Sequence, residues 1–134
     1  LVDAQRPTLS ALALTRTTED DGLWTAVEVL ASRVPADLAV LSACETAKGT
    51  AESGEGVLGL VTGFRIAGAA RVIGSLWKVD DEATAAMMRH FYSGLLREGR
   101  SPAAALRAAQ AAMRADARWS DPYFWSAFVL VGTW

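Results

Sequence analysis

Apolar residues in this chain fall into short blocks separated by polar, glycine- and proline-containing stretches. Residues 10–15 predict a short strand, the arm of an edge hairpin, and residues 17–22 a loop. Trp24, Val27 and Leu30 recur at helical spacing and predict a helix over residues 24–32. Pro35 ends it, because proline cannot continue a helix and restrains the residue before it. Residues 36–43, holding Leu38-Ala39-Val40-Leu41, predict a buried strand that runs into Cys44. A polar loop follows over 45–55, and the almost wholly apolar stretch 57–67 predicts a buried crossover helix closed by Gly68. Residues 70–77 predict a second buried strand. Two buried strands joined by a helix imply a right-handed βαβ unit, which brings Cys44 and Trp77-Lys78-Val79-Asp80-Asp81 to one sheet edge.

Further on, residues 84–96 predict an amphipathic helix with Met88, Phe91, Tyr92 and Leu95 on its inner face. Ser101-Pro102 predicts the next helix start, serine as N-cap and proline in the first turn, with a small inner face of Ala105, Leu106, Ala109 and Met113. Asp121-Pro122 predicts a turn, and residues 127–131 a last strand.

The totals narrow the classes. A length of 134 residues allows one domain or part of one, and 51% hydrophobic with 21% charged residues is ordinary globular composition. A net charge of −2 without a basic block argues against a nucleic-acid partner. No run of about 18 apolar residues occurs, as a membrane-spanning helix needs, and no basic segment precedes an apolar one as in a signal peptide. The single cysteine cannot form an internal disulfide and fits a reducing cytoplasm. The abrupt start at Leu1, without methionine, suggests a piece cut from a longer protein.

Cys44 is the first candidate for chemistry. A free cysteine is commonly a small buried hydrophobe, but this one ends an apolar strand ahead of a polar loop, where parallel sheets collect reacting groups. With a reference pKa of ~8.5 a thiol needs a base, usually an imidazole. His90 is the only histidine, and with Met88, Phe91, Tyr92 and Leu95 inward it points about 160° away from the buried face. It is therefore a solvent-side residue, so either Cys44 is not catalytic or its base lies outside this chain. Gly54-Glu55-Gly56-Val57-Leu58-Gly59 matches G-x-G-x-x-G, with Asp80 as a ribose acid, but no strand runs directly into Gly54. The glycines better suit a loop turn and close helix packing. Of Asp80 and Asp81, one serves a helix N-terminus, with Asp81 suited as its N-cap, and the other could give a pocket negative charge beside Trp77. Phe124, Trp125 and Trp134 suit core or strand-end packing.

Taken together, Leu41-Ser42-Ala43-Cys44-Glu45-Thr46-Ala47, Gly54 to Leu60, Ala67-Gly68-Ala69, Ser75 to Asp81 with Thr84, Phe91-Tyr92, Ala104 to Gln110 and Asp121 to Gly132 resemble the CHAT domain in order and spacing. CHAT domains are caspase-like, often follow TPR repeats, and are similar to the clan CD cysteine peptidases, which include caspases and separase. The resemblance implies an α/β fold, a three-layer α/β/α sandwich with a mostly parallel sheet. Residues 1–134 would be the C-terminal portion of one such domain, with the N-terminal part of the sheet missing. It implies that Cys44 is the nucleophile and that its backbone N–H is one oxyanion donor. The base would be the histidine of a His-Gly pair upstream of Leu1, and the fragment alone would be inactive. By similarity to separase, Asp80 or Asp81, beside Trp77, would favour a basic residue before the cleaved bond. The implied partners are a protein or peptide substrate and a TPR or other regulatory region in the parent chain, with no cofactor, no metal, no nucleic acid and no membrane. The alternative is a non-catalytic CHAT-like module that binds partners or forms a homo-oligomer, and a third reading is nucleotide binding through the glycines.

Overall fold

A computed structural model describes residues 10–41 and 55–133. Within them, residues up to Lys78 together with Val131–Thr133 form one compact unit and Val79–Leu130 another.

The first unit opens with a two-stranded antiparallel ribbon, β1 (Ala11–Ala13) on β2 (Leu23–Thr25), with Leu12 opposite Trp24. The loop between them is closed by Asp20, whose carboxylate accepts from Gly22 N–H at 2.7 Å. Gly22 has φ +75, and a Cβ there would lie 2.8 Å from the Leu14 carbonyl, so only glycine fits. Strand pairing takes Trp24 and Thr25, so the helix expected from Trp24 starts later, as α1 (Ala26–Ala31). Its start is set by a capping box: Thr25 Oγ1 accepts from Glu28 N–H at 3.2 Å, and Glu28 Oε2 accepts from Thr25 N–H at 2.8 Å. It also ends earlier than Pro35 would require, at a Ser32 cap whose hydroxyl donates to the Glu28 carbonyl.

Strand β3 (Ala39–Leu41), helix α2 (Glu55–Ile66) and β4 (Arg71–Ser75) follow. β3 and β4 pair in parallel, Ala39 opposite Val72 and Leu41 opposite Gly74. With β5 (Phe128–Gly132) the sheet order is β3-β4-β5. The described architecture is thus mixed α/β, and part of the predicted strand and loop, residues 42–54, lies outside the described residues. Gly68 closes α2 as expected, with φ +118. Ala69 N–H donates to the Phe64 carbonyl at 3.0 Å and Gly68 N–H to that of Arg65 at 3.3 Å, the paired bonds of a Schellman motif. The Arg65 guanidinium adds bonds to the Ala69 and Ala70 carbonyls. Val34 N–H reaches the Ala67 carbonyl and Ala70 N–H that of Ala36, both at 2.7 Å, tying the approach to β3 to the approach to β4. The core of this unit is Val29, Val61, Phe64, Ala67, Ala69 and Val72, with Trp24 packed edge-on to Phe64 at 5.4 Å. Burying each larger side chain contributes roughly 1.5–3 kcal/mol.

The second unit is helical up to Phe128, where β5 begins. α3 (Asp81–Tyr92) runs into a π-helical turn, Ser93–Arg97. Its inner face is Ala83, Ala86, Met87 and Phe91, whereas Met88 is half-buried and Tyr92 exposed, so the face is rotated from the one the larger side chains suggested. Alanines carry little weight in a hydrophobic pattern, yet they are what lets a neighbouring helix come close. The same economy holds at the π turn. Gly94 is buried, and a Cβ there would sit 3.4 Å from the Cβ of Ala105. α4 (Pro102–Ala115) starts as expected, Ser101 Oγ accepting from Ala104 N–H at 3.3 Å with Pro102 in the first turn. Its buried residues are Ala105, Leu106, Ala109 and Met113, as predicted. Asp121-Pro122 opens a single helical turn, α5 (Pro122–Trp125), instead of a plain turn, because the Asp121 carboxylate caps Tyr123 N–H at 2.8 Å. Gln110 Nε2 donates to the Phe128 carbonyl at 3.0 Å and fixes α4 against the segment leading out of α5.

Candidate functional site

Parallel pairing sends β3 and β4 out of the sheet in the same direction, and Leu41 lies beside Gly74 at that edge. Loops at the carboxyl ends of parallel strands are where open α/β sheets place their ligands. Cys44 follows Leu41 by three positions and lies outside the described residues, as does Gly54. Of the other glycines in the G-x-G-x-x-G match, Gly56 and Gly59 are the second and fifth residues of α2. A dinucleotide-binding turn needs a strand running directly into the first glycine, and the residues that lead into Gly54 lie outside the described residues.

The segment leaving β4 is described in full. Ser75, buried, donates its hydroxyl to the Trp77 carbonyl at 2.7 Å and folds the exit of the strand into a tight bend. Trp77 is half-buried and Lys78 exposed, and each holds a further interaction. In the second unit, Val79 is buried, and Asp80 caps α3: its Oδ1 accepts from Glu82 N–H at 2.9 Å and from Ala83 N–H at 3.1 Å. The cap is therefore Asp80 and not Asp81, because Asp80 holds extended backbone with ψ 142 while Asp81 is already the first helical residue. Asp81 is exposed, in the first turn, where its charge faces the positive end of the helix dipole. Thr84, one turn further, donates its N–H to the Asp80 carbonyl at 2.8 Å, and its enclosed hydroxyl oxygen has no hydrogen-bond partner among the described residues. The sequence pattern marked Thr84 only as a motif position; its orphaned hydroxyl became visible with the packing.

His90 is exposed, as expected, although Ala83 and Ala86, seven and four positions before it, are both buried. Phe124 packs edge-on to Trp119 at 5.3 Å and to Tyr123 at 5.7 Å, which fits the packing role expected of it. Trp125 donates its indole N–H to the Ser120 carbonyl at 3.3 Å, and Trp134 lies outside the described residues. Among the described residues no three His, Cys, Asp or Glu side chains are grouped to hold a metal ion, and no helix is long and apolar enough to cross a membrane.

A family model described as "CHAT domain" matches residues 1–133. Tetratricopeptide repeat protein 28 of Homo sapiens is 34% identical over 111 residues, which is 83% of this chain and 4% of that protein. The protein of the same name from Mus musculus is 33% identical over 111 residues, with the same 83% and 4% coverage. The chain thus spans about 4% of the length of the curated relatives it matches. No solved structure matches.

Proposed function

Because the chain belongs to the CHAT-domain family, we propose that it is the C-terminal portion of a cysteine endopeptidase domain within a larger, regulated protein. In this reading the full domain is a caspase-like α/β/α sandwich, and the two relatives' name points to a TPR region in the parent chain. The observation that carries it is the parallel pairing of β3 and β4, with Leu41 beside Gly74. Cys44 follows Leu41 by three positions in the sequence, and Trp77 follows Gly74 by three.

The chemistry follows the clan CD pattern that the resemblance implies. A histidine from upstream of Leu1 takes the Cys44 thiol proton, and the thiolate attacks the peptide carbonyl carbon. The resulting oxyanion is held by the Cys44 N–H and by that of the glycine after the histidine. The tetrahedral intermediate collapses as the leaving amine takes the proton from the imidazolium. Water, deprotonated by the same histidine, then releases the acyl group and regenerates the thiol. His90 is not that base. Asp81 is the better acid for selecting a basic residue before the cleaved bond, because Asp80 has an oxygen committed to two backbone N–H groups. A lone cysteine suits a reducing compartment, so the proposed location is cytoplasmic.

The test is cleavage of fluorogenic peptides by the intact parent protein. Arginyl and lysyl peptides should be cut in preference to alanyl ones, and Cys44→Ala should lower kcat/KM by roughly a thousandfold or more. Undiminished cleavage by that variant removes Cys44 as nucleophile. Cysteine-dependent cleavage by residues 1–134 alone removes the upstream base. A second reading, a non-catalytic module that binds partners or self-associates, draws on the name of the relatives, which records repeats and no activity. A parent inert toward peptides of every class would favour it.

A further inference from the structure

The surface where α3 passes into the π-helical turn carries a groove of about 460 Å³ lined by Arg89, His90, Tyr92, Ser93, Leu96 and Arg97. Three of the six side chains are basic, and none of the three makes an ion pair with a described residue. The acid nearest in sequence, Glu98, pairs with Arg100 at 2.7 Å, and Asp116, whose charge interacts with His90, pairs with Arg118 at 2.7 Å. Asp81 and Glu82 sit at the far end of α3, about two turns before Arg89. A merely solvated helix face tends to interleave the two signs of charge, and this one does not.

The apolar members of the groove are placed as anchors. Leu96 is 74% exposed and Tyr92 40% exposed. The Tyr92 ring leans edge-on against the fully buried Phe91 at 5.1 Å, so its position is set by the core before anything binds. The π turn, with its Glu98 N–H to Ser93 carbonyl bond, advances the helix by an extra residue at this point. Paired guanidinium forks around an exposed leucine and a fixed tyrosine ring are complementary to carboxylates flanking an apolar side chain.

We infer that this groove docks an acidic segment of a partner protein, with carboxylates on Arg89 and Arg97 and an apolar residue between them on Tyr92 and Leu96. The inference does not depend on the peptidase reading.

The experiment is fluorescence anisotropy of a labelled eight-residue peptide of alternating glutamate and leucine, titrated with the 134-residue chain. Saturable binding is expected. It should weaken on the order of tenfold with Arg97→Glu or Arg89→Glu, less with Arg97→Lys, and several-fold with Leu96→Ser. All three positions are at the surface, so circular dichroism should be unchanged by these substitutions. No binding, binding that ignores Arg97→Glu, or equal binding of a glutamate–serine peptide would each overturn the inference. So would capture of phosphatidylserine vesicles in place of the peptide.

Discussion

Removing the Asp80 carboxylate tests whether this aspartate is structural and leaves Asp81 for function. Asp80 Oδ1 accepts from two backbone N–H groups that have no partner within α3, at 2.9 and 3.1 Å. Asp80→Ala strips both and should cost about 1 kcal/mol, with about 2 kcal/mol as the upper end for N-caps. That is roughly a fivefold drop in the folding equilibrium constant. Asp80→Asn keeps an acceptor oxygen in place and should cost only a few tenths of a kcal/mol. Asp81→Asn loses only an exposed charge near the helix N-terminus, about 0.3 kcal/mol. Urea unfolding of the 134-residue chain, followed by circular dichroism, ranks the three variants. Amide exchange at Glu82 and Ala83 should quicken in Asp80→Ala alone. Stability of Asp80→Ala within about 0.3 kcal/mol of the unaltered chain, or a larger loss in Asp81→Asn, would refute the assignment of the cap. In the active parent the order should reverse: Asp81→Asn relaxes the preference for basic residues and Asp80→Asn does not.

Gly68→Ala places a side chain at φ +118, with its Cβ 3.3 Å from the Val34 carbonyl, and should destabilise by about 1–3 kcal/mol in the same urea assay; a neutral result would refute the need for glycine there. Gly94→Val puts a branched side chain where even a Cβ stands 3.4 Å from Ala105, so a loss of about 1–3 kcal/mol is expected, and Ala105→Gly should restore part of it. Asp116 is held at a pKa of about 2, against the usual 3.8, chiefly by the hydrogen bond from the Arg118 side chain. A carboxyl whose folded pKa is depressed stabilises the fold above the unfolded pKa, so this contribution is complete above about pH 4 and fades as pH falls through about 2. Carbon-detected NMR should place the Asp116 titration near 2, and a midpoint near 3.8, or one unmoved by Arg118→Gln, would refute it.

Legibility in the sequence followed how local the deciding physics was. The start of α4 was readable because Ser101 and Pro102 act within one turn, and its small inner face because four apolar positions keep a strict helical spacing. The βαβ order was readable because β4 is buried along most of its length and Gly68 marks the end of α2. The start of α1 was misplaced because Trp24 and Thr25 are drawn into a strand by Ala11 and Leu12, more than ten residues away. The inner face of α3 was rotated because large side chains were weighted over alanine, whereas the buried stripe holds Ala83 and Ala86 beside Met87 and Phe91. Around the site, the acids were found but their roles were not separable: which of two adjacent aspartates caps a helix is a matter of one residue's ψ angle.

The knot of hydrogen bonds between residues 34–36 and 67–70 has a bearing on the opposite end of the sheet. Among the described residues β3 contributes three ladder residues. Its alignment with β4 is inherited from the joint at its root, where Val34 is bonded to Ala67 and Ala36 to Ala70. From there the chain works as a ruler: two residues of approach, then Ala39, Val40 and Leu41, each advancing about 3.3 Å. Deleting Asp37 or Leu38 would shift that count by one and turn every later side chain to the other face of the sheet. The place of Leu41 beside Gly74 is therefore measured out from the opposite end of the described strand.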